Sequence, residues 1–147
     1  MSDAGPALTY WHLWTDSAGV SRQTRCALSG FVLKGVGDAA PQWNKALPHA
    51  GADIVFTVQP VGWIGDWHEN PAPQWIAVLS GGWWIESMDG TRIEQHAGDF
   101  SLGADQSCRR DAQGRLGHRS GTIGDQPATL MCVRLDTALP PGACAFR

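Results

Sequence analysis

Residues 65–82, GDWHENPAPQWIAVLSGG, decide how this chain is read. A histidine, two carboxylates, an asparagine and a glutamine stand directly before an apolar run of strand length. In extended backbone, residues two apart share a face. Asp66, His68 and Asn70 therefore point the same way. Pro71 and Pro73 give no N–H to a ladder, so this part belongs at a sheet edge or in a loop. Gln74 then opens the apolar strand, and a buried glutamine must be hydrogen-bonded. If Gln74 faces a cavity, alternation turns Ile76 and Val78 the same way and sends Trp75 to the outer face. A polar cluster aimed at a barrel mouth is a plausible small-molecule site.

Outward from that stretch the signals are those of strands. ADIVFTVQ (52–59) alternates, with Ile54, Phe56 and Val58 on one side and Thr57 and Gln59 on the other. GWWIESM (82–88) and TRIEQ (91–95) flank Asp89-Gly90, a strong hairpin signal. Trp83 and Trp84 must face opposite ways. GDFSLGA (98–104) and ATLMCVRL (128–135) are two more strands. Residues 1–23 read as mostly loop with a short strand near Tyr10–Trp14. The segment 25–36 reads as one or two short strands broken by Gly30, and 37–53 as turn-rich with one helical turn. Strands every 8–12 residues with no long helical period predict an all-β sandwich or barrel.

A chain of 147 residues suits one domain, and 43% hydrophobic content is that of a globular protein. The net charge of −3, without a basic run, argues against nucleic acid. No signal peptide is visible, and no stretch approaches the roughly 18 apolar residues of a membrane span. A cytoplasmic location and free thiols at Cys26, Cys108, Cys132 and Cys144 are the default expectations, with Cys132 in the core. Eight tryptophans suit an aromatic cavity or a thick core. Trp11, Trp14 and the outward tryptophans offer apolar area for a homodimer.

The spacing Gly62-x5-His68-x-Asn70-x3-Gln74-x6-Gly81 resembles the first motif of the cupin family, with two of its ligand-type residues replaced by amides. HAGDFSLGA, with Gly98 and Asp99 at its turn, resembles the opening of the second motif. DWH…P…Q…VLSG and GHR (117–119) are similar to segments of small bacterial single-domain cupins. The resemblance covers about Ile54–Leu135 of a single domain. It implies an all-β cupin double-stranded β-helix, or jelly-roll barrel, a loop insertion around 105–113, and a homodimer. It also implies a divalent metal (zinc, iron, nickel or manganese) held by His68, Asn70, Gln74 and His118. Asp66 and Glu69 would move protons.

Plainer roles stand beside these. Asn70 caps a turn before Pro71, His68 and His118 are satisfied histidines, and Arg109 and Arg110 are solvated loop charge. His12, His49 and His96 lie outside the motif. Amide oxygens are weaker ligands than imidazole or carboxylate. Two functions from different classes follow: a metal-dependent oxygenase, isomerase or cyclase acting on a small organic molecule, or a metal-free small-ligand binding or sensor protein. A purely structural partner is the third.

Overall fold

The computed structural model describes residues 5–47 and 51–147. His49 lies outside them, as does part of the stretch expected to hold a helical turn. The described residues form twelve strands and no helix. These are β1 (Leu8–Thr15), β2 (Ser21–Leu28), β3 (Val32–Lys34), β4 (Gln42–Asn44), β5 (Ala52–Gln59) and β6 (Ile64–His68). The second half comprises β7 (Gln74–Ser80), β8 (Gly82–Ser87), β9 (Arg92–His96), β10 (Phe100–Ala104), β11 (His118–Thr122) and β12 (Ala128–Leu135). The short strand expected near Tyr10–Trp14 is present and longer, β1, paired antiparallel along its length with β2, which begins at Ser21 inside the stretch expected as loop. No helix among the described residues is long and apolar enough to cross a membrane.

Two sheets carry the architecture. One has the order β2-β1-β10-β7-β12-β5, the other β6-β11-β8-β9. Apart from the β8–β9 hairpin, strands β5 to β12 alternate between the sheets in two four-strand sets, β10-β7-β12-β5 facing β6-β11-β8-β9. This is the double-stranded β-helix, an eight-stranded jelly roll. The β1–β2 hairpin widens the first sheet, with β1 parallel to β10.

The alternation read from residues 74–80 decides the inner core. Ile76 and Val78 of β7 face the opposite sheet and pack with Leu13, Trp83, Ile85, Ile93, Leu130 and Cys132. Trp75 faces outward, where it is not left to solvent. It packs against Tyr10, Phe146 and Phe100 at ring separations of 5.1, 5.4 and 5.8 Å. Leu139 and Phe146, from the C-terminal segment, complete this outer layer. Trp84, on the face opposite Trp83, lies 4.0 Å from the Arg92 guanidinium, a cation–π contact that keeps a large indole covered outside the barrel.

Two expectations require correction. Cys26 and Cys144 are not free thiols; they form a disulfide that pins the C-terminal segment to β2. Cys108 and Cys132 are free. Nor do Trp11 and Trp14 supply an open apolar face. Trp11 packs against the inner core, and the half-buried Trp14 donates its indole N–H to Thr24 Oγ1 at 2.9 Å. The exposed apolar stripe lies on β5, where Ile54, Phe56 and Val58 are 65%, 66% and 63% exposed.

Candidate functional site

Strands β6 and β11 are antiparallel neighbours, and their register sets His68 directly opposite His118. The two rings stand 4.6 Å apart. Backbone geometry makes this approach possible at Gly117, whose φ is +75° and where any Cβ would come within 2.2 Å of the His68 carbonyl oxygen. A side chain would force β11 away from β6.

A chain of hydrogen bonds runs behind the two imidazoles. His118 Nδ1–H donates to Asp105 Oδ2 at 2.7 Å. Asp105 Oδ1 accepts from the Asn70 backbone N–H at 2.9 Å and from Asn70 Nδ2 at 2.8 Å. Asn70 Oδ1 in turn accepts from Gln74 Nε2 at 2.7 Å, and Gln74 Oε1 accepts from Arg134 Nε at 3.2 Å. The chain is packed closely, because Asn70 lies over Gly103, where a Cβ would meet its side chain at 2.7 Å. Asp105, Asn70, Gln74 and His118 are all buried. Burial pushes the Asp105 carboxyl up, but the hydrogen bond and charge of His118, joined by the two Asn70 N–H bonds, outweigh it and hold the group below its ordinary value.

The donor on each ring can be assigned. An ionised carboxylate only accepts, so His118 carries a proton on Nδ1. His68 Nδ1–H donates to the Asp66 carbonyl oxygen at 2.6 Å. In both residues Nε2 is then the nitrogen left for the cavity.

That cavity, about 250 Å³, lies between the sheets, and both histidines, Asn70, Gln74 and Arg134 line it. Trp63, Trp83 and Ile76 supply its aromatic and apolar wall. Arg134 brings the one guanidinium, and no Asp or Glu is among the described lining residues. Two buried polar atoms on the wall have no partner: the acceptor Gln59 Oε1 and the donor Trp83 Nε1. Unsatisfied buried groups are few in folded proteins.

Of the residues singled out from sequence, His68, Asn70, Gln74 and His118 come together here. Asp66 and Glu69 turn elsewhere. Asp66 Oδ1 accepts from the Trp67 N–H at 2.8 Å, and Glu69 Oε1 accepts from the Cys108 N–H at 3.0 Å. Sequence reasoning missed Asp105, Arg134, Gln59 and the inward role of Trp83. Asp105 opens the loop insertion implied at 105–113, yet it directly follows β10 and is fully buried. An acid immediately after an apolar strand was the available signal. Arg134 has the strand parity of Leu130 and Cys132, which also line the cavity.

No family model matches this chain, and no curated protein matches it. Two solved structures are similar in part. A cupin protein from Bacteroides fragilis is 23% identical with a TM-score of 0.41, over 63% of this chain and 72% of that one. Protein NMB1881 from Neisseria meningitidis is 10% identical with a TM-score of 0.40, over 61% of this chain and 79% of that one. The fold assignment rests on the strand order itself.

The cupin resemblance implies a divalent metal, and the donor set does not fit one. Both amide oxygens are already engaged, Asn70 Oδ1 by Gln74 and Gln74 Oε1 by Arg134. That leaves two imidazole nitrogens, where protein metal centres commonly use three or four ligands. Among the described residues no group of three or more His, Cys, Asp or Glu side chains is placed to hold a metal ion.

Proposed function

We propose that this chain is a cupin-type, metal-free small-molecule protein whose cavity takes a small organic anion and exchanges a proton with it at His118 Nε2. One observation carries the reading: the buried Asp105–His118 pair lies at the wall of a cavity that has a guanidinium and, among the described residues, no lining carboxylate. Arg134 would meet the anionic group as a charge-assisted donor. Trp63 and Trp83 would pack on the apolar body. Asp105 fixes the His118 tautomer and stabilises the imidazolium when Nε2 takes a proton, the arrangement a general base needs. Proton removal beside a carbonyl of a small carboxylic acid is the reaction class this supports. The disulfide favours an oxidising compartment over the cytoplasm expected from the sequence.

A panel of small carboxylates, 2-oxo acids included, titrated by calorimetry and followed for α-proton exchange in deuterium oxide tests the reading. Saturable binding is expected. It should weaken strongly in Arg134→Met, and exchange should be lost in His118→Ala with binding retained. Binding without exchange in the wild type would favour the sensor alternative. Tight uptake of zinc, iron(II), nickel or manganese by the wild type would instead restore the metalloenzyme reading, and Gln74→Glu should then tighten it.

A further inference from the structure

The lining of the central cavity shows where it opens. Its exposed members are Val58 on β5, His68 on β6 and Pro71 in the turn that follows. Those contributed by β7, β8, β11 and β12 are buried or half-buried. Among the described residues β5 and β6 are each the edge of a sheet. The mouth therefore lies at the seam between two edge strands.

Edge strands offer unpaired backbone groups to any other strand, and proteins guard them with charge, bulges or short length. Among the described residues, three of the four edges of the two large sheets are guarded. Strand β2 carries Arg22 and Arg25, and β9 carries Arg92 and Glu94. Strand β6 is five residues long, holds Asp66 and shifts register against β11. Strand β5 has none of this protection along its middle. It pairs with β12 over its whole length without a shift, contains no Lys, Arg or Pro, and leaves Ile54, Phe56 and Val58 exposed. The unguarded edge is the one beside the mouth.

This strand is complementary to its own copy. In an antiparallel pair about a two-fold axis at Phe56, Ile54 stands opposite Val58 of the partner subunit, and Phe56 opposite its mate. Apolar pairs of this kind stabilise a sheet. Asp53, the one charge on β5, falls opposite Gln59 of the partner subunit, so no like charges meet. With Val61 beside them, the three exposed side chains of β5 make an apolar patch of roughly 400 Å², about half of the roughly 800 Å² that each partner of a stable dimer buries. Residues directly opposite share a face, so the inner faces of both chains lie on the same side of the joined sheet. The two mouths then face each other across the axis.

We propose that a second copy of this chain, paired strand to strand at β5, closes the mouth of the central cavity, so that the two sites of the dimer open onto one enclosed space instead of onto solvent. The proposal rests on the reading of that cavity as the ligand site, and not on which ligand it takes.

The test needs no ligand. A neutral gadolinium chelate is added to the full chain, and NMR follows the relaxation of the His68 ring protons and the Val58 methyls in the wild type and in Phe56→Asp. Both groups are exposed in the single chain. Their relaxation enhancement should be several-fold lower in the wild-type dimer than in Phe56→Asp, while Val32 and Leu33, exposed on β3, should be equal in the two. A wild type that stays monomeric at millimolar concentration would overturn the proposal. So would a dimer in which His68 relaxes as in Phe56→Asp, or one that protects Leu79 and Val133 instead. The wild type alone gives a second reading. Ile54 and Val58 lie about 13 Å apart along one strand, too far for an Overhauser contact, so a contact between their methyls arises only across the axis. Its absence from a mixture of labelled and unlabelled dimeric chains overturns the proposal whether or not Phe56→Asp folds. Failure of every carboxylate to bind would remove the function proposed above and leave these readings unchanged.

Discussion

Asp105 is buried without charge repulsion because three N–H groups meet its two oxygens. Replacing it by asparagine leaves a buried histidine facing an amide. The expected loss is about 3–5 kcal/mol, as for removing one partner of a buried pair, measured by urea unfolding. Its pH dependence has a definite sign. The carboxyl titrates lower in the folded chain than unfolded, so its contribution is complete above the unfolded value of about 3.9 and fades as pH falls through the folded one. Asp105→Asn should lack that acid limb. His12 contributes with the same slope in a different window. It is neutral when folded down to about pH 4, whereas unfolded it titrates near 6.5. Between those values the unfolded chain binds more protons, so stability should climb as pH rises from about 4 to 6.5. In His12→Asn stability should be flatter across that interval.

The strand pair β6–β11 is the element on which the site depends. Gly117→Ala would set a Cβ against the His68 carbonyl at a positive φ. It should destabilise by more than about 1 kcal/mol and widen the gap between the two imidazoles, visible as a changed nuclear Overhauser contact between the rings. At this scale the sequence was informative where partners are close in the chain. His68, Asn70 and Gln74 fall within seven positions, and strand alternation alone placed Ile76 and Val78 inside and Trp75 outside. The Asp89-Gly90 hairpin was equally legible. Arg134 was not, because its partner Gln74 is 60 residues away and meets it through the β12–β7 register. The same holds for Cys26 and Cys144, 118 positions apart with no local mark of pairing. Alternation in β5 was read correctly as a strand. Val55 packs on the inner core, while Ile54, Phe56 and Val58 are left exposed, and periodicity does not say which face is covered.

For the whole molecule, the β5 edge offers a test of the homodimer expected from the sequence. An antiparallel β5–β5 pairing about a two-fold axis would continue the six-stranded sheet across both chains and bring Phe56 opposite its symmetry mate. Such an isologous contact is self-complementary and removes an exposed edge. Light scattering should report a dimer for the wild type and a monomer for Phe56→Asp, with the near-ultraviolet circular dichroism of the fold retained. The disulfide acts at the same scale. Opening it in Cys144→Ser should cost roughly 3–5 kcal/mol, in keeping with the long loop it closes, and should free the C-terminal segment from Trp75 and Tyr10.

Cys26 and Cys144 also close residues 26–144 into a covalent ring, with β1 outside it. Every strand from β3 to β12 lies inside the ring. Residues 32–43 form its most open arc, exposed throughout and including Lys34. A trypsin nick after Lys34 would therefore linearise the ring without dividing the molecule. Segments 1–34 and 35–147 would travel as one band on a non-reducing gel and separate into two once reductant is added.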